Sequence, residues 1–197
     1  DWARVMFSDE SHFCLWHGGR KRCRRPIGSD RFDPRYTAKT TKHLAKIMVW
    51  GCFSGAGRGG LYFVPKNTMM NGERYKDLLD TKLPFWMQNH DCTHFLQGGA
   101  PCHRSKLVKR LFQKHPEIQV IDWPGNSPDL NPIENAWNWM KLHLKEKVIT
   151  NLEQLEQEIK ELWCIKMADG EYLRALLNSM PRRLASVKEK MGDMTKY

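Results

Sequence analysis

The strongest constraint on the fold is the segment at residues 122–137, D-W-P-G-N-S-P-D-L-N-P-I-E-N-A-W. Its three prolines each fix φ and remove a backbone donor, so we expect a rigid, irregular loop. Pro132 suits the first turn of a helix, where an N–H has no partner to lose, and Asn131 before it is a good N-cap. This order predicts that Glu134 lies at the start of a helix, behind a stiff loop, as a metal-binding or catalytic acid.

A capping role for Glu134 is the alternative. The sequence N-P-I-E matches a capping box, in which the Glu134 carboxylate accepts a hydrogen bond from the backbone N–H of Asn131. For an isolated motif, the capping role is the commoner of the two. The choice between them therefore depends on the acids and cations elsewhere in the chain.

The charge of the chain indicates an anionic partner. With 197 residues, 41% of them hydrophobic, and eight tryptophans, the chain is expected to fold as one domain with a substantial core. Its net charge of +10 favours nucleic acid as the partner. Residues 18–46 carry ten lysines and arginines against two acids, so this block either stays solvated or follows a phosphate backbone. The predicted DNA-binding residues in it are Arg20, Lys21, Arg22, Arg24 and Arg25.

The cysteines and the apolar runs exclude several other classes of protein. None of the six cysteines forms a C-x-x-C pair or a Cys/His spacing typical of zinc sites, so reduced, intracellular thiols are predicted. The side chains of Cys102 and His103 are expected to diverge. No apolar run approaches the about 20 residues of a membrane span. Because the chain begins at Asp1 without a methionine, we expect it to be a fragment of a longer protein.

Hydrophobic periodicity predicts an α/β domain with a mixed sheet. Strands come first as a meander and then alternate with helices, and they are expected at residues 5–7, 13–16, 47–53, 61–64, 93–97 and 118–121. Helices are expected at about 72–88, 103–114, from 132, from 151, and once or twice more up to about 191. In such a sheet, acids at the carboxyl ends of strands converge. Asp9 is predicted at the end of the first strand, in one cleft with Glu134.

Carboxylates that converge from distant segments are typical of a two-metal site. In such a site, acids hold two divalent ions about 3.5–4 Å apart, and the ions clamp the attacking and leaving oxygens of a phosphodiester. Mg²⁺ suits this task because it prefers oxygen ligands and retains several waters. The sequence supplies Asp9 and Glu134 for such a site.

Four segments of the chain resemble the catalytic domain of the Tc1/mariner transposases: F-S-D-E-S (7–11), V-W-G-C-F-S (49–54), F-L-Q-x-G-A-P-C-H (95–103) and the proline-rich segment ending at Trp137. The match is collinear and covers nearly the whole chain. It implies an RNase H-like fold with a mixed five-stranded sheet, flanking helices and further C-terminal helices. It also implies a D-D-E metal triad, in which Asp9 matches the first acid and Glu134 the third.

The resemblance implies a function as well. Members of the family cut and join the ends of their element with Mg²⁺ or Mn²⁺, in the nucleus, as a dimer or a larger assembly on transposon and target DNA. Residues 17–43 resemble the family's clamp loop, which contacts the partner subunit and DNA. The family's N-terminal DNA-binding region is absent from this chain, which is expected to form one domain over residues 1–197.

Gly98 stands where the family has its second acid. Thirty-five residues separate Gly98 from Glu134, near the family's usual interval, so the alignment has not slipped. Gln97 has a neutral oxygen, but its side chain is expected on the opposite face of the strand. Asp122 and Asp129 are expected to be turn or capping residues. When catalytic residues act as a unit, removal of one of them abolishes nearly all the catalysis. We therefore predict that this chain folds, binds metal weakly and is inactive.

Three other descriptions of the function stay open at this point. In the first, the chain is an active catalytic core in which an unrecognised ligand replaces the second acid. In the second, it is a non-catalytic nucleic-acid-binding module derived from a transposase. In the third, it is an RNase H-like nuclease that acts on other substrates. The last of these does not account for the proline-rich segment. Among single residues, Arg104 and Lys106 are expected on a basic helix face that is either solvated or phosphate-binding. Glu10 is expected at the surface, and His103 is expected to bond to the start of that helix.

Overall fold

The computed structural model describes residues 1–15, 24–30, 33–36, 45–125, 127–168, 170–195 and 197. Within these residues, five strands form one mixed sheet in the order β3-β2-β1-β4-β5. The strands are β1 Val5–Cys14, β2 Lys46–Ser54, β3 Gly57–Phe63, β4 His94–Leu96 and β5 Gln119–Val120. The first three form an antiparallel meander, and β4 and β5 run parallel to β1. The expected mixed five-stranded sheet is therefore confirmed.

The first strand is longer than predicted. In place of two short strands joined by a tight turn, Val5–Cys14 is one strand of ten residues. The polar S-D-E-S run stays extended because β2 pairs with it, with Asp9 opposite Gly51. Asp9 therefore lies in the middle of β1 and not at its end, which corrects the prediction. The parallel pairing with β4 nevertheless stops at Phe7 and Leu96, so Asp9 lies just beyond the part of β1 that β4 covers.

In the described residues, six α-helices cover the two faces of the sheet. They are α1 Gly72–Asn89, α2 Lys106–Lys114, α3 Ile133–Lys145, α4 Leu152–Glu161, α5 Glu171–Asn178 and α6 Met180–Glu189, and a π-helical turn continues α4 over Leu162–Lys166. One apolar core lies under α1 and α2 and contains Tyr75 and Leu111. The second lies under α3, α4 and α5 and contains Trp137, Ile159 and Leu173. The domain thus has three layers, with the sheet in the middle.

Alternation along β1 decides which core each of its side chains reaches. Phe7 and Phe13 belong to the core under α3, whereas Met6 belongs to the core under α1. Successive side chains of a strand point to opposite faces of the sheet. Asp9 consequently shares the α3 face, and Glu10 shares the α1 face.

Side-chain caps define the starts of three helices. Asn71 Oδ1 accepts from the backbone N–H three residues later at 2.9 Å, and Asn151 makes the same bond at the start of α4 at 2.8 Å. Both helices therefore begin within one residue of their predicted starts. α2 begins at Lys106 after Ser105 as its cap, three residues later than predicted. His103 therefore lies in the turn before α2 and not in the helix.

Trp137 packs against β2 at a position where only glycine fits. A Cβ on Gly51 would stand 2.6 Å from Cη2 of the Trp137 indole, so a larger residue would displace the ring. Trp137 stacks on Trp163 with 5.1 Å between ring centroids. Trp50 is equally inaccessible in the other core. Both tryptophans are therefore core residues.

Other parts of the described chain bear on the remaining predictions. None of the described helices has both the length and the apolar character that a membrane span requires. Of the basic loop predicted at residues 17–43, the structure describes 24–30 and 33–36, a mostly exposed stretch with a 3₁₀ turn at Pro34–Tyr36. The cysteines in the described ranges are free thiols: Cys14, Cys52, Cys92, Cys102 and Cys164.

Candidate active-site cleft

Asp9 and Gly98 lie side by side at one edge of the sheet. Each is the second residue beyond the last parallel pair, which is formed by Phe7 and Leu96. A Cβ on Gly98 would stand 3.3 Å from Asp9 Oδ1 and 3.6 Å from Asp9 Oδ2. A side chain at position 98 would therefore project onto the Asp9 carboxylate, and glycine leaves that space empty.

The Asp9 carboxyl group has an unusually high pKa. Burial raises this pKa to about 7, and the negative charge of Glu10 adds to the increase. The backbone N–H of Glu10 donates to Asp9 Oδ1 at 2.8 Å and opposes the shift, while the charge of Glu134 raises the pKa further. Near neutral pH, Asp9 is thus a mixture of charged and neutral forms.

Glu134 faces the same cleft from the first turn of α3. The cleft has a volume of about 400 Å³, and its walls are β1, the turn after β4, the proline-rich loop and the start of α3. Burial raises the pKa of Glu134, and the ammonium group of Lys141 opposes this shift. The structure therefore brings together Asp9, Gly98 and Glu134, the three positions singled out in the sequence.

Asn131 connects the start of α3 to β1. Its Nδ2 donates to the Ser8 carbonyl at 3.2 Å and to Asp9 Oδ2 at 3.3 Å. The residue at the N-cap position is Pro132, one place later than predicted, and no side chain caps the helix there. Asn131 Oδ1 nevertheless accepts from the backbone N–H of Ile133 at 3.4 Å, so a long version of the predicted capping bond is present one residue before the N-cap position. The amide nitrogen of the same side chain connects the helix that carries Glu134 to the strand that carries Asp9.

The capping-box alternative for Glu134 does not form. The backbone N–H of Asn131 donates to the Pro128 carbonyl at 3.2 Å, so the group that a capping box requires is already bonded. Glu134 donates its own backbone N–H to the Asn131 carbonyl at 3.1 Å, while its side chain lines the cleft. The carboxylate is thus not used by the helix terminus.

The last helix supports the proline-rich loop from behind. Arg183 of α6 is 1% exposed and donates to the Asp129 carbonyl at 2.5 Å and to Asn135 Oδ1 at 2.7 Å. Thr195 donates to Asp129 Oδ2 through its backbone N–H and its hydroxyl, both at 2.8 Å. Asp129 therefore anchors the loop and is not directed at the cleft. Sequence reasoning missed Arg183 because its neighbour Arg182 is exposed and no local pattern separates the two.

On the other face of β1, Glu10 pairs with His103. His103 Nε2 lies 2.9 Å from Glu10 Oε1, and Nδ1 lies 2.8 Å from the Gly98 carbonyl. Burial lowers the pKa of His103, but its bonds to Cys102, Glu10 and Gly98 outweigh this effect and raise the pKa to about 10. The surface position expected for Glu10 and the helix-start bond expected for His103 are both wrong, because β1 directs Glu10 toward the turn that precedes α2.

Comparison with known proteins identifies the family of the chain. The profile of the DDE superfamily endonucleases matches residues 4–156. The Tcb2 transposase of Caenorhabditis briggsae is 37% identical over 202 residues, which cover 100% of this chain and 71% of that protein. The Tc1 transposase of Caenorhabditis elegans is 33% identical over 201 residues, with the same two coverages. The chain belongs to the Tc1/mariner transposases. It is their DDE catalytic domain.

A solved transposase has the same fold. The mariner Mos1 paired end complex with Mg superposes with a TM-score of 0.80 at 20% identity, covering 98% of this chain and 57% of the Mos1 chain. The sheet order and the flanking helices are thus those of an RNase H-like fold, as the resemblance implied. The chain spans little more than half the length of the Mos1 chain.

Two carboxylates line the cleft of this transposase domain in the part of the chain that the structure describes. Asp9 and Glu134 are the acids among the described residues that line it, and position 98 has no side chain. Asp9 already accepts hydrogen bonds on both carboxylate oxygens. Gln97 faces α1, where its Oε1 accepts from the Tyr75 hydroxyl at 2.9 Å, as expected from strand alternation.

The cations predicted to contact DNA lie in different places. A Cβ on either Gly99 or Gly125 would stand 3.1 Å from Arg104 Nη2, so this guanidinium group lies between the two loops at the rim of the cleft. Lys106 is exposed at the first residue of α2. Arg24 and Arg25 are exposed in the basic loop. The remaining members of the predicted set lie outside the described residues: Arg20, Lys21 and Arg22.

Proposed function

We propose that this transposase domain binds DNA but no longer cuts or joins it. The observation that carries the proposal is the empty space beside Asp9, where a side chain at position 98 would project. The family chemistry requires three carboxylates, and the cleft holds two. In this proposal the domain is a DNA-binding module that descends from a transposase. It differs from an active catalytic domain by the residue at position 98.

The proposed loss of DNA cutting follows from the role of the two metal ions in phosphoryl transfer. In two-metal phosphoryl transfer, the ions stabilise the attacking and the leaving oxygen together, so a set of ligands that holds one ion leaves one oxygen without its partner. Asp9 and Glu134 would then hold a single Mg²⁺ or Mn²⁺ weakly. The residues present therefore do not fit the metal pair.

The DNA-binding half of the proposal rests on the cations at the rim. Arg104 lies between the loops that carry Gly99 and Gly125, where a phosphate of a strand entering the cleft would meet it. Lys106 extends the positive edge along α2, and the chain as a whole carries a net charge of +10. Such contacts release counterions and make affinity fall steeply with salt.

Nicking of supercoiled DNA with Mg²⁺ or Mn²⁺ tests the catalytic half. The wild-type domain and its Gly98→Asn variant are expected to leave the DNA intact, whereas Gly98→Asp restores metal-dependent nicking. Asn matches Asp in size and lacks the charge, so the pair isolates the carboxylate. Equal nicking by the wild type and Gly98→Asp contradicts the proposal.

The salt dependence of DNA affinity tests the binding half. If Arg104 contacts a phosphate, Arg104→Gln lowers the slope of log K against log salt by about 0.9 on duplex DNA. Lys114→Gln is the matched control, because Lys114 lies at the far end of α2. A slope that changes equally in both variants removes Arg104 from the interface.

We further propose that the full protein binds transposon and target DNA as a dimer in the nucleus. The Tcb2 and Tc1 relatives are transposases and the Mos1 chain was solved as a paired end complex, which supports this proposal. Light scattering of the domain on paired DNA ends, and imaging of the tagged protein in cells, test the two parts separately.

A further inference from the structure

We propose that Glu10, Cys102 and His103 form a Zn²⁺-binding site on the face of β1 opposite Asp9. One carboxylate oxygen, the thiol sulfur and one imidazole nitrogen of these residues all lie within 4.8 Å of one another. Zinc takes this combination of sulfur, nitrogen and oxygen donors in proteins. The site uses none of the acids of the cleft, so the inference does not depend on DNA binding or on cutting.

The hydrogen bonds of His103 already select the nitrogen that would bind the metal. Nδ1 lies 2.8 Å from the Gly98 carbonyl, which can accept only from a protonated Nδ1. A zinc-binding histidine almost always makes such a bond with its other nitrogen, because the bond fixes the tautomer and the ring orientation. The Tyr75 ring packs against the imidazole with 4.4 Å between centroids and restricts its rotation. Nε2 is therefore held toward Glu10 before any ion arrives.

The distances and charges suit a small dication. Nε2 of His103 and Oε1 of Glu10 are 2.9 Å apart, whereas two ligands about 2 Å from a tetrahedral zinc stand about 3.3 Å apart. Entry of the ion thus requires only a small outward shift. The Cys102 thiolate and the Glu10 carboxylate together balance the two positive charges. Binding releases the thiol proton and the proton that His103 and Glu10 share.

The fourth position of the ion lies on the side of Cys102. The His103 and Glu10 side chains are only 1% and 10% exposed, whereas Cys102 is partly exposed. Water therefore reaches the site past Cys102 and completes the coordination. An ion bound there fastens the middle of β1 to the turn between Gly98 and α2, so Zn²⁺ raises the stability of the domain.

Titration with Co²⁺, a spectroscopic substitute for Zn²⁺, tests the site. The wild-type domain is expected to bind one Co²⁺ with a thiolate-to-metal charge-transfer band, and Zn²⁺ displaces it while excess Mg²⁺ does not. Cys102→Ser abolishes the band and weakens binding by at least about 100-fold, more than the change of an outer-shell partner. Glu10→Gln weakens binding and keeps the band, because the sulfur ligand remains.

Cys164→Ser is the matched control, since Cys164 is an exposed thiol in the π-helical turn after α4. It is expected to bind Co²⁺ as the wild type does. Far-UV circular dichroism and thermal unfolding without metal establish that each variant is folded. The inference is overturned if the wild type shows no saturable band, if Cys102→Ser retains the band, or if Cys164→Ser loses it. Each of these results leaves Glu10 and His103 as an ion pair only.

Discussion

Replacement of Gly98 with aspartate links the stability of the domain to divalent metal. The backbone accepts the change without strain, because Gly98 is not among the described glycines with a left-handed φ. The new Cβ would stand 3.3 Å from Asp9 Oδ1, so the Asp9 carboxylate must shift by a few tenths of an ångström. Gly98→Asn introduces the same contact without a charge, so the difference between the two variants measures the carboxylate alone.

The size of that difference follows from the geometry. With the carboxyl carbon one bond beyond Cβ, the two carboxylates come within about 4 Å, and their repulsion at an effective dielectric of about 20 is about 4 kcal/mol. Partial exposure of the cleft and rotation of the new side chain reduce this value. Without metal and at about pH 8.5, where Asp9 with its pKa of about 7 is ionised, we expect Gly98→Asp to be about 1–2 kcal/mol less stable than Gly98→Asn, or roughly 2–8 °C in Tm.

With a divalent metal bound, Gly98→Asp is expected to become more stable than Gly98→Asn. At 100 times its Kd, an ion that binds only the folded state adds about 2.7 kcal/mol. Thermal unfolding of the wild type, Gly98→Asp and Gly98→Asn with and without Mg²⁺ or Mn²⁺ checks both effects. The reasoning is refuted if the Asp and Asn variants unfold alike without metal, or if metal stabilises all three proteins equally.

Three further predictions concern other contacts. Asn131→Ala removes the bonds to β1 and is expected to lower the free energy of unfolding by about 1–3 kcal/mol in urea; no loss would mean that the bonds carry no net stability. Arg183→Met leaves buried acceptors unpaired and costs roughly 3 kcal/mol, whereas Arg182→Met, the exposed control, stays within about 0.5 kcal/mol in the same assay. Burial lowers the pKa of His90 from its ordinary 6.5, and the charge of Arg58 lowers it further. Because the folded state therefore favours the neutral imidazole, the free energy of unfolding is expected to fall as the pH drops below about 6.5. In His90→Gln this fall in the free energy of unfolding is expected to be smaller.

Periodicity was sufficient to predict most of the fold. α1 and α3 were expected from apolar residues at helical spacing, and both helices bury an apolar face, which in α1 ends at Met87 while Trp86 is only half-buried. The convergence of Asp9 and Glu134 was expected from the order of strands and helices, and one cleft contains both. These features depend on local spacing and on general rules of sheet topology, which the sequence carries directly.

The features that sequence reasoning missed depend on partners that are distant in the chain. The S-D-E-S run in β1 has the composition of a turn, and it is extended because β2 pairs with it. Glu10 looked like a surface acid, and it is enclosed because the turn before α2 brings His103 to its side. Arg183 bonds to Asn135 at a separation of 48 residues. No local pattern encodes such a contact.

The bonds of Asp129 bear on how the domain is best expressed. The family profile ends at residue 156, but the groups that hold Asp129 belong to Arg183 and Thr195. A recombinant fragment trimmed to the matched region would keep Asp9 and Glu134 and lose the support behind the loop that leads to Glu134. Truncation boundaries chosen by sequence similarity alone would therefore discard part of the scaffold of the cleft.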